Sequence, residues 1–534
     1  MSLAEAPVLG AEKPPGSREA SSHRYAYTLF STICRVAFGA VTSVIVPRTL
    51  GPTAVGTIAF GQILAQNVRG VFDLSITQSF FTLSAATLRS GSITRFFTKV
   101  IFAQFALSFI ACIVIGVTRI GNQALQGTPL YLLLVLLLLE WATSTVTLAN
   151  QVGDSKGISR WPQIATIAAN LLTTLMVVVL AALGKLTLWS YVLILLGTSI
   201  LNVVVVISYL LGTRYDHLWA HSDPGHVRSS LKTIANISVP LTLLGYYAMA
   251  IDFCERFLIQ FQYGASEQAY YQVASRWASL IILFSTASLQ IFWQRLVENI
   301  AAGNLERAKN LYLRLDGLLF YFTLCLAVIW SSIGRDVLAL LLGADFQGAG
   351  TILMVMAFYP VSQVFGQLGN TIAIASGRTR ESAVVGVITA TVGLAVSYGL
   401  LAPRTGVVPG LGLGGVGLAI KIALFGLLTV QPLTLLNCKY LSISYSRLIV
   451  TKLRIGVILI ATAAALYIPG AIWRHRLPIL VEPSVRAMLF IIAATTLVVK
   501  RATLCGIDPD DVGRIRDGAR SFALRIGRGP RLPL

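Results

Sequence analysis

Apolar runs of about 20 residues recur along the chain from Tyr25 to Arg501, separated by short polar segments. Each run has the length an α-helix needs to cross a hydrocarbon layer roughly 30 Å thick. Fourteen runs are legible, near 25–46, 53–81, 95–118, 129–149, 161–183, 188–211, 233–258, 268–293, 313–334, 348–375, 382–401, 413–432, 448–468 and 485–500. The pattern predicts an all-α polytopic membrane protein with about 14 transmembrane helices. Runs 2 and 10 are long and interrupted by glycine.

The polar segments divide the chain. Residues 1–24 are rich in Pro, Gly, Ser, Ala and charge, which predicts a disordered N-terminal tail. The longest internal polar stretch, 212–232, falls between runs 6 and 7. It separates an N-lobe (25–212) from a C-lobe (233–437) through a linker (213–232), and a final helix pair (438–502) and a basic tail (503–534) follow. Two halves of six spans with the same orientation predict two six-helix lobes around a central cavity, a parallel-repeat plan. The repeat signal itself is small: Gly51 lies in the turn after run 1 and Gly264 in the turn after run 7. The first run follows a polar segment and contains Arg35, so it reads as a retained span rather than a cleaved signal.

Charge changes the picture by its distribution. Only 12% of residues are charged, against roughly 25% in a soluble domain. The net charge of +20 would raise nucleic-acid binding in a soluble chain. Here, with the N-terminus inside, 29 of the 42 Lys and Arg fall in inner segments and 8 in outer ones. That asymmetry predicts two cytoplasmic termini and an even number of spans, with no nucleic-acid partner. The basic tail, including Arg514, Arg516, Arg520, Arg525, Arg528 and Arg531, reads as a surface segment drawn to anionic phospholipid, at roughly 1 kcal/mol per basic residue near the surface. Residues 298–312 read as an amphipathic helix of the same kind.

The connections leave no room for a soluble catalytic domain, and no Walker-type glycine loop is present. Pump ATPases and most membrane glycosyltransferases are thereby removed, and neither catalytic residues nor cofactors are expected. The six cysteines have no paired spacing, so no disulfide framework or metal site is indicated. His217, His221 and His226 surround an Asp-Pro-Gly that reads as a turn. GLGLGGVG at 410–417 precedes a span without a preceding soluble strand, which predicts a turn and close helix packing.

Four arginines lie inside membrane runs: Arg35, Arg69, Arg256 and Arg276. An arginine at the bilayer centre costs roughly 2.5–3.5 kcal/mol, so such residues normally face a protein-lined aqueous cavity. A guanidinium fork matches phosphate oxygens, which makes an anionic passenger the natural cargo. Arg69 stands four residues before Asp73, and Arg256 four after Asp252, so each can pair on its own helix face. Self-neutralised pairs are the competing explanation there. Arg35 and Arg276 have no carboxylate three or four positions away. Glu140 in run 4 and Lys421 in run 12 stand alone on their helices, either as a gating pair or as two unrelated residues facing water. Asp73, Glu140, Asp252 and Lys421 are the candidate ion-coupling or gating residues.

Against these residues the chain resembles the polysaccharide and O-antigen repeat-unit flippases of the multidrug/oligosaccharidyl-lipid/polysaccharide exporter superfamily. The resemblance rests on PRTLGPTAVGTIAFGQILAQNVRGVFDL (47–74), on AIDFCERFLIQFQYGASEQAYYQVASRW (250–277), on ASGRTRES after run 10 and on GGVGLA opening run 12. It covers about residues 25–435. Ser75 departs from the family's glycine after Asp-Leu, and Val55 from its aromatic before Gly56. Runs 13 and 14 are similar to the extra pair of fourteen-span members. The resemblance implies alternating access that moves undecaprenyl-pyrophosphate-linked oligosaccharide outward across a bacterial inner membrane. Arg35, Arg69, Arg256 and Arg276 would hold the pyrophosphate, and a polysaccharide polymerase and glycosyltransferases would be functional partners. A multidrug-type cation antiporter of the same superfamily and a membrane polymerase or ligase are the alternatives.

Overall fold

Gly51 and Gly264 share one backbone conformation, with φ 76° and ψ 170° at the first and φ 82° and ψ −177° at the second. That region is essentially reserved for glycine. Each residue breaks a very long helix into two arms: α1, Ser17–Asp73, and α6, Pro224–Ala301. In α1, Pro52 follows the break, and a proline with its preset φ suits the first turn of a new arm. The two turns that alone suggested a repeat are thus built alike.

The computed structural model describes residues 17–73, 91–118, 125, 127–156, 160–212, 224–376, 378–405, 408–473 and 481–501. Every regular element among them is helical. After α1 come α2 (Gly91–Val117), α3 (Leu130–Lys156), α4 (Arg160–Ala182), α5 (Leu188–Gly212) and α6. Then follow α7 (Leu305–Leu342), α8 (Gln347–Met356), α9 (Tyr359–Ala375), α10 (Thr379–Leu401) and α11 (Gly414–Ile420). A π-helical turn (Lys421–Phe425) leads into α12 (Gly426–Thr429), α13 (Gln431–Tyr440), α14 (Tyr445–Trp473) and α15 (Val481–Arg501). With α1 and α6 each counted as two arms, helical segments fall on every apolar run read from the sequence. Run 10 is the pair α8–α9, bent by 43°.

Large apolar side chains such as Phe102, Leu193, Val387 and Val457 lie exposed on the outer faces of their helices. Such faces suit lipid, and the apolar helices make this a multi-pass membrane protein.

The chain forms two compact units, 1–272 and 273–534. In the first, α1, α3 and α5 bury Phe60, Leu64, Leu132, Leu136, Trp141 and Val192 in one core, with Phe253 and Phe257 of α6 packed against it. In the second, α7, α9, α14 and α15 share Phe320, Val361, Phe365, Leu459 and Phe490. Tyr321 of α7 donates its hydroxyl to the Ala494 carbonyl of α15 at 2.8 Å. The final helix pair is therefore docked on α7 and α9.

Several local expectations meet the structure here. The 298–312 segment is not one amphipathic helix. Gly303, at φ 71°, ends α6, and the Asn304 side chain accepts from the Arg307 N–H to cap α7. The 410–417 glycines form a turn whose Leu411, Gly412 and Leu413 N–H groups donate to the Gly399, Ala402 and Leu400 carbonyls. The turn thus satisfies carbonyls at the end of α10, which a helix leaves without intrahelical partners. α1 starts within the segment read as a tail, and α6 starts at Pro224, within the linker. Residues 74–81 of run 2, with Ser75, lie outside the described residues, as do His217, His221 and the basic tail.

Candidate functional site

The second arm of α1 presents Gln66, Arg69, Gly70 and Asp73 at spacings of three and four, one face of a helix. This face meets α3. Gln66 donates Nε2–H to Glu140 Oε1 at 3.1 Å. One turn further along both helices, Arg69 donates from Nη1 to Ser144 Oγ. The Arg69 guanidinium also lies 6.0 Å from the Trp141 ring centroid. Two polar rungs thus join parallel helices above an apolar core, and Arg69 is engaged across the helix contact.

Two more helices hold the end of this arm. Gln104 of α2 donates to the Asp73 carbonyl at 3.3 Å, and Tyr246 of α6 donates to the Val71 carbonyl. Gly70 faces the Met249 sulfur, which would lie 2.6 Å from an added Cβ.

The second cluster has its ion pair on the first arm of α6, about two to three turns before the break at Gly264. Asp252 and Arg256 form the ion pair that their spacing predicts, with Asp252 Oδ1 3.6 Å from Arg256 Nε. Asp252 is 57% exposed and Arg256 13%. The Arg256 guanidinium lies 4.3 Å from the ring centroid of fully buried Tyr271. Since Tyr271 lies beyond Gly264, this stacking contact ties the two arms of α6 together. Glu255 beside them is buried.

Arginine donors remain unspent in both clusters. Arg69 Nε, Arg256 Nε and Arg256 Nη1 are buried and make no hydrogen bond among the described residues, although Arg256 Nε lies 3.6 Å from Asp252 Oδ1. A guanidinium has five N–H donors in a fixed fork, and this chain's protein acceptors take up only part of them.

The other predicted residues stand apart from these clusters. Arg35 is exposed on the first arm of α1 and donates from Nη2 to Thr32 Oγ1, one turn back, at 3.3 Å. Arg276 is exposed on the second arm of α6. Lys421 opens the π-helical turn, and its Cε would lie 3.3 Å from a Cβ added at Gly393 of α10. Glu140 and Lys421 belong to different units.

Sequence reasoning missed Gln66, Trp141 and Ser144, although Trp141 and Ser144 lie one and four residues from Glu140. It also gave no partner to Lys452, one of the 29 basic residues counted in inner segments. Lys452 is largely buried, 2.8 Å from Asp316 Oδ1, and Asp316 is 1% exposed.

These features define a class: a polytopic helical membrane protein with charged and amide side chains held between its spans. Its fold is similar to those of solved membrane transporters at 14–15% sequence identity. MurJ, a lipid II flippase, in an inward closed conformation, aligns with a TM-score of 0.63 over 89% of this chain and 99% of its own, at 15% identity. A multidrug resistance MATE family transporter in an inward-facing conformation gives 0.53 over 77% and 98%, at 14% identity. A MOP-superfamily transporter from Pyrococcus furiosus, described as having a binding pocket of reverse polarity, gives 0.50 over 79% and 96%, at 15% identity. No protein-family model and no curated protein matches the sequence.

Proposed function

We propose that this chain is a transporter that flips undecaprenyl-pyrophosphate-linked oligosaccharide units across a bacterial inner membrane, with both termini in the cytoplasm. It works by alternating access between two lobes, serving cell-surface polysaccharide synthesis beside a polymerase and glycosyltransferases. The observation that carries this reading is the set of unspent guanidinium donors on Arg69 and Arg256 within membrane-spanning helices. Buried donors that make no hydrogen bond among the described residues favour an anion, and phosphate oxygens fit the fork. Arg35 and Arg276, exposed on their spans, extend the grip, while Asp73, Glu140, Asp252 and Lys421 serve ion coupling or gating. The likeness to a lipid II flippase over almost its whole length supports a lipid-linked cargo. An inside-negative potential also favours outward movement of an anion, at about 2.3 kcal/mol per charge per 100 mV.

The test is a leaflet assay in a deletion strain. Lipid-linked units accumulate on the inner leaflet, the wild-type gene clears them, and Arg35→Ala or Arg276→Ala inserts normally yet abolishes export. Full export in both variants overturns the arginine grip. Accumulation on the outer leaflet instead indicates a polymerase.

A second reading, a multidrug-type cation antiporter, draws on the half-exposed Asp252 carboxylate and the MATE-like fold. It requires that expression lower cellular accumulation of a cationic dye and that Asp252→Asn abolish this.

A further inference from the structure

Between α7 and α14, within the second unit, lies a cleft of about 430 Å³. Its polar end is lined by Lys309, Arg447, Ser444 and Thr451. Leu313, Phe320, Leu448 and Ile455 supply apolar lining, with the Asp316–Lys452 pair between them. Both helices begin at this end, α7 at Leu305 and α14 at Tyr445.

The charges facing the cleft are unequally committed. Lys452 is tied to Asp316 at 2.8 Å, which neutralises the one carboxylate that lines it. Lys309 lies 3.2 Å from Glu306, whose side chain is 71% exposed and so largely in solvent. Arg447 is exposed and makes no ion pair among the described residues. The cleft therefore keeps a net positive mouth.

The mixed cationic and apolar lining decides the occupant. From Arg447 to Ile455 the helix rises roughly 12 Å at 1.5 Å per residue. Over that distance polar and apolar side chains alternate: Arg447, Leu448, Thr451, Lys452 and Ile455 on α14, facing Lys309, Leu313, Asp316 and Phe320 on α7. A free inorganic anion would use only the cationic and hydroxyl groups. An amphiphile with a phosphate head and an acyl chain uses the apolar lining as well, because burying the chain along it removes the chain from water.

We infer that this cleft is a binding site for an anionic phospholipid of the surrounding bilayer, distinct from the arginine clusters of the first unit. Arg447 and Lys309 hold the phosphodiester, Ser444 offers it a hydroxyl, and an acyl chain lies along Leu448, Ile455 and Phe320. The inference stands apart from the cargo reading, since it concerns the other unit and a lipid that is not transported.

The test uses the full-length protein in detergent, titrated with phosphatidylglycerol and followed by native mass spectrometry. Wild-type protein is expected to bind it at least ten-fold more tightly than phosphatidylcholine. The double variant Arg447→Gln/Lys309→Gln is expected to lose at least ten-fold in affinity, and Arg454→Gln, an exposed residue outside the cleft, to lose none. Leu448→Trp, which fills the apolar part and keeps both charges, should also weaken binding at least ten-fold. Undiminished binding in the double variant overturns the site. So does full competition by millimolar inorganic phosphate in wild type, since it would leave the apolar wall without a role.

Discussion

Gly56 of α1 packs against the backbone of Ala265 so closely that an added Cβ would lie 1.7 Å from the Ala265 carbonyl oxygen. Thr53 and Ser266 hydroxyls meet 3.3 Å apart one turn away. The broken ends of α1 and α6 therefore touch backbone to backbone, a contact that only a small residue permits. Gly56→Ala must push one arm off the other. The expected loss exceeds the roughly 1–3 kcal/mol of ordinary overpacking. Gly61→Ala should cost less, because the atom 2.6 Å from its Cβ is the end of the Leu136 side chain, which can swing away. Thermal unfolding of both variants in detergent checks the order, and equal melting temperatures would contradict it.

The two glycine breaks allow a cleaner comparison. No heavy atom lies within 4 Å of a Cβ added at Gly51 or at Gly264. Alanine at either site therefore meets no clash, and its cost is the backbone conformation alone, about 1–3 kcal/mol. Since the dihedrals nearly coincide, the two variants should lose stability by the same amount within about 0.5 kcal/mol, and because the two breaks touch, the double variant should depart from their sum. Chemical denaturation of the three proteins measures this.

Arg69 offers a test of geometry against charge. A lysine keeps the positive charge but not the planar fork that reaches Ser144 and leaves donors for an anion. Under the proposed export function, Arg69→Lys is expected to lower transport at least ten-fold while the protein inserts and unfolds like wild type. Ser144→Ala frees Nη1 and should change transport by less than about three-fold. Transport by Arg69→Lys at the wild-type rate would show that a point charge suffices.

How much of this was legible in the sequence depended on the range of the interaction. Helix spans follow from runs of neighbouring residues, so the apolar pattern located them. The break at Gly264 was legible because glycine marks it, and the Asp252–Arg256 pair because it is one turn long. Arg69 was visible as an anomaly, yet its partner Ser144 was not, since a serine in an apolar run carries no signal until α3 is placed beside α1. Residues 298–312 misled for the opposite reason: their amphipathic spacing is real, but Gly303 and Asn304 stop one helix and start the next. Lys452 followed the same logic, looking like one more inner basic residue because Asp316, 136 positions away, left no mark of its own.

That buried pair yields the sharpest stability test. Lys452 sits 2.8 Å from Asp316 Oδ1 and 3.7 Å from the Phe365 ring centroid, with Asp316 1% exposed. Replacing the ammonium by Met keeps the side chain's volume and its contact with the ring but leaves a carboxylate buried without its cation. Removing one partner of such a pair costs roughly 3–5 kcal/mol. Lys452→Met should therefore destabilise α14 against α7 strongly, and Asp316→Leu should do the same by stranding the ammonium. The double variant Lys452→Met/Asp316→Leu removes both charges, and replacing a whole buried pair by apolar groups is often neutral or stabilising. Its melting temperature should return to within a few degrees of wild type. A double-mutant cycle on the purified protein measures the coupling, and additive losses would show that the two residues do not act as a pair.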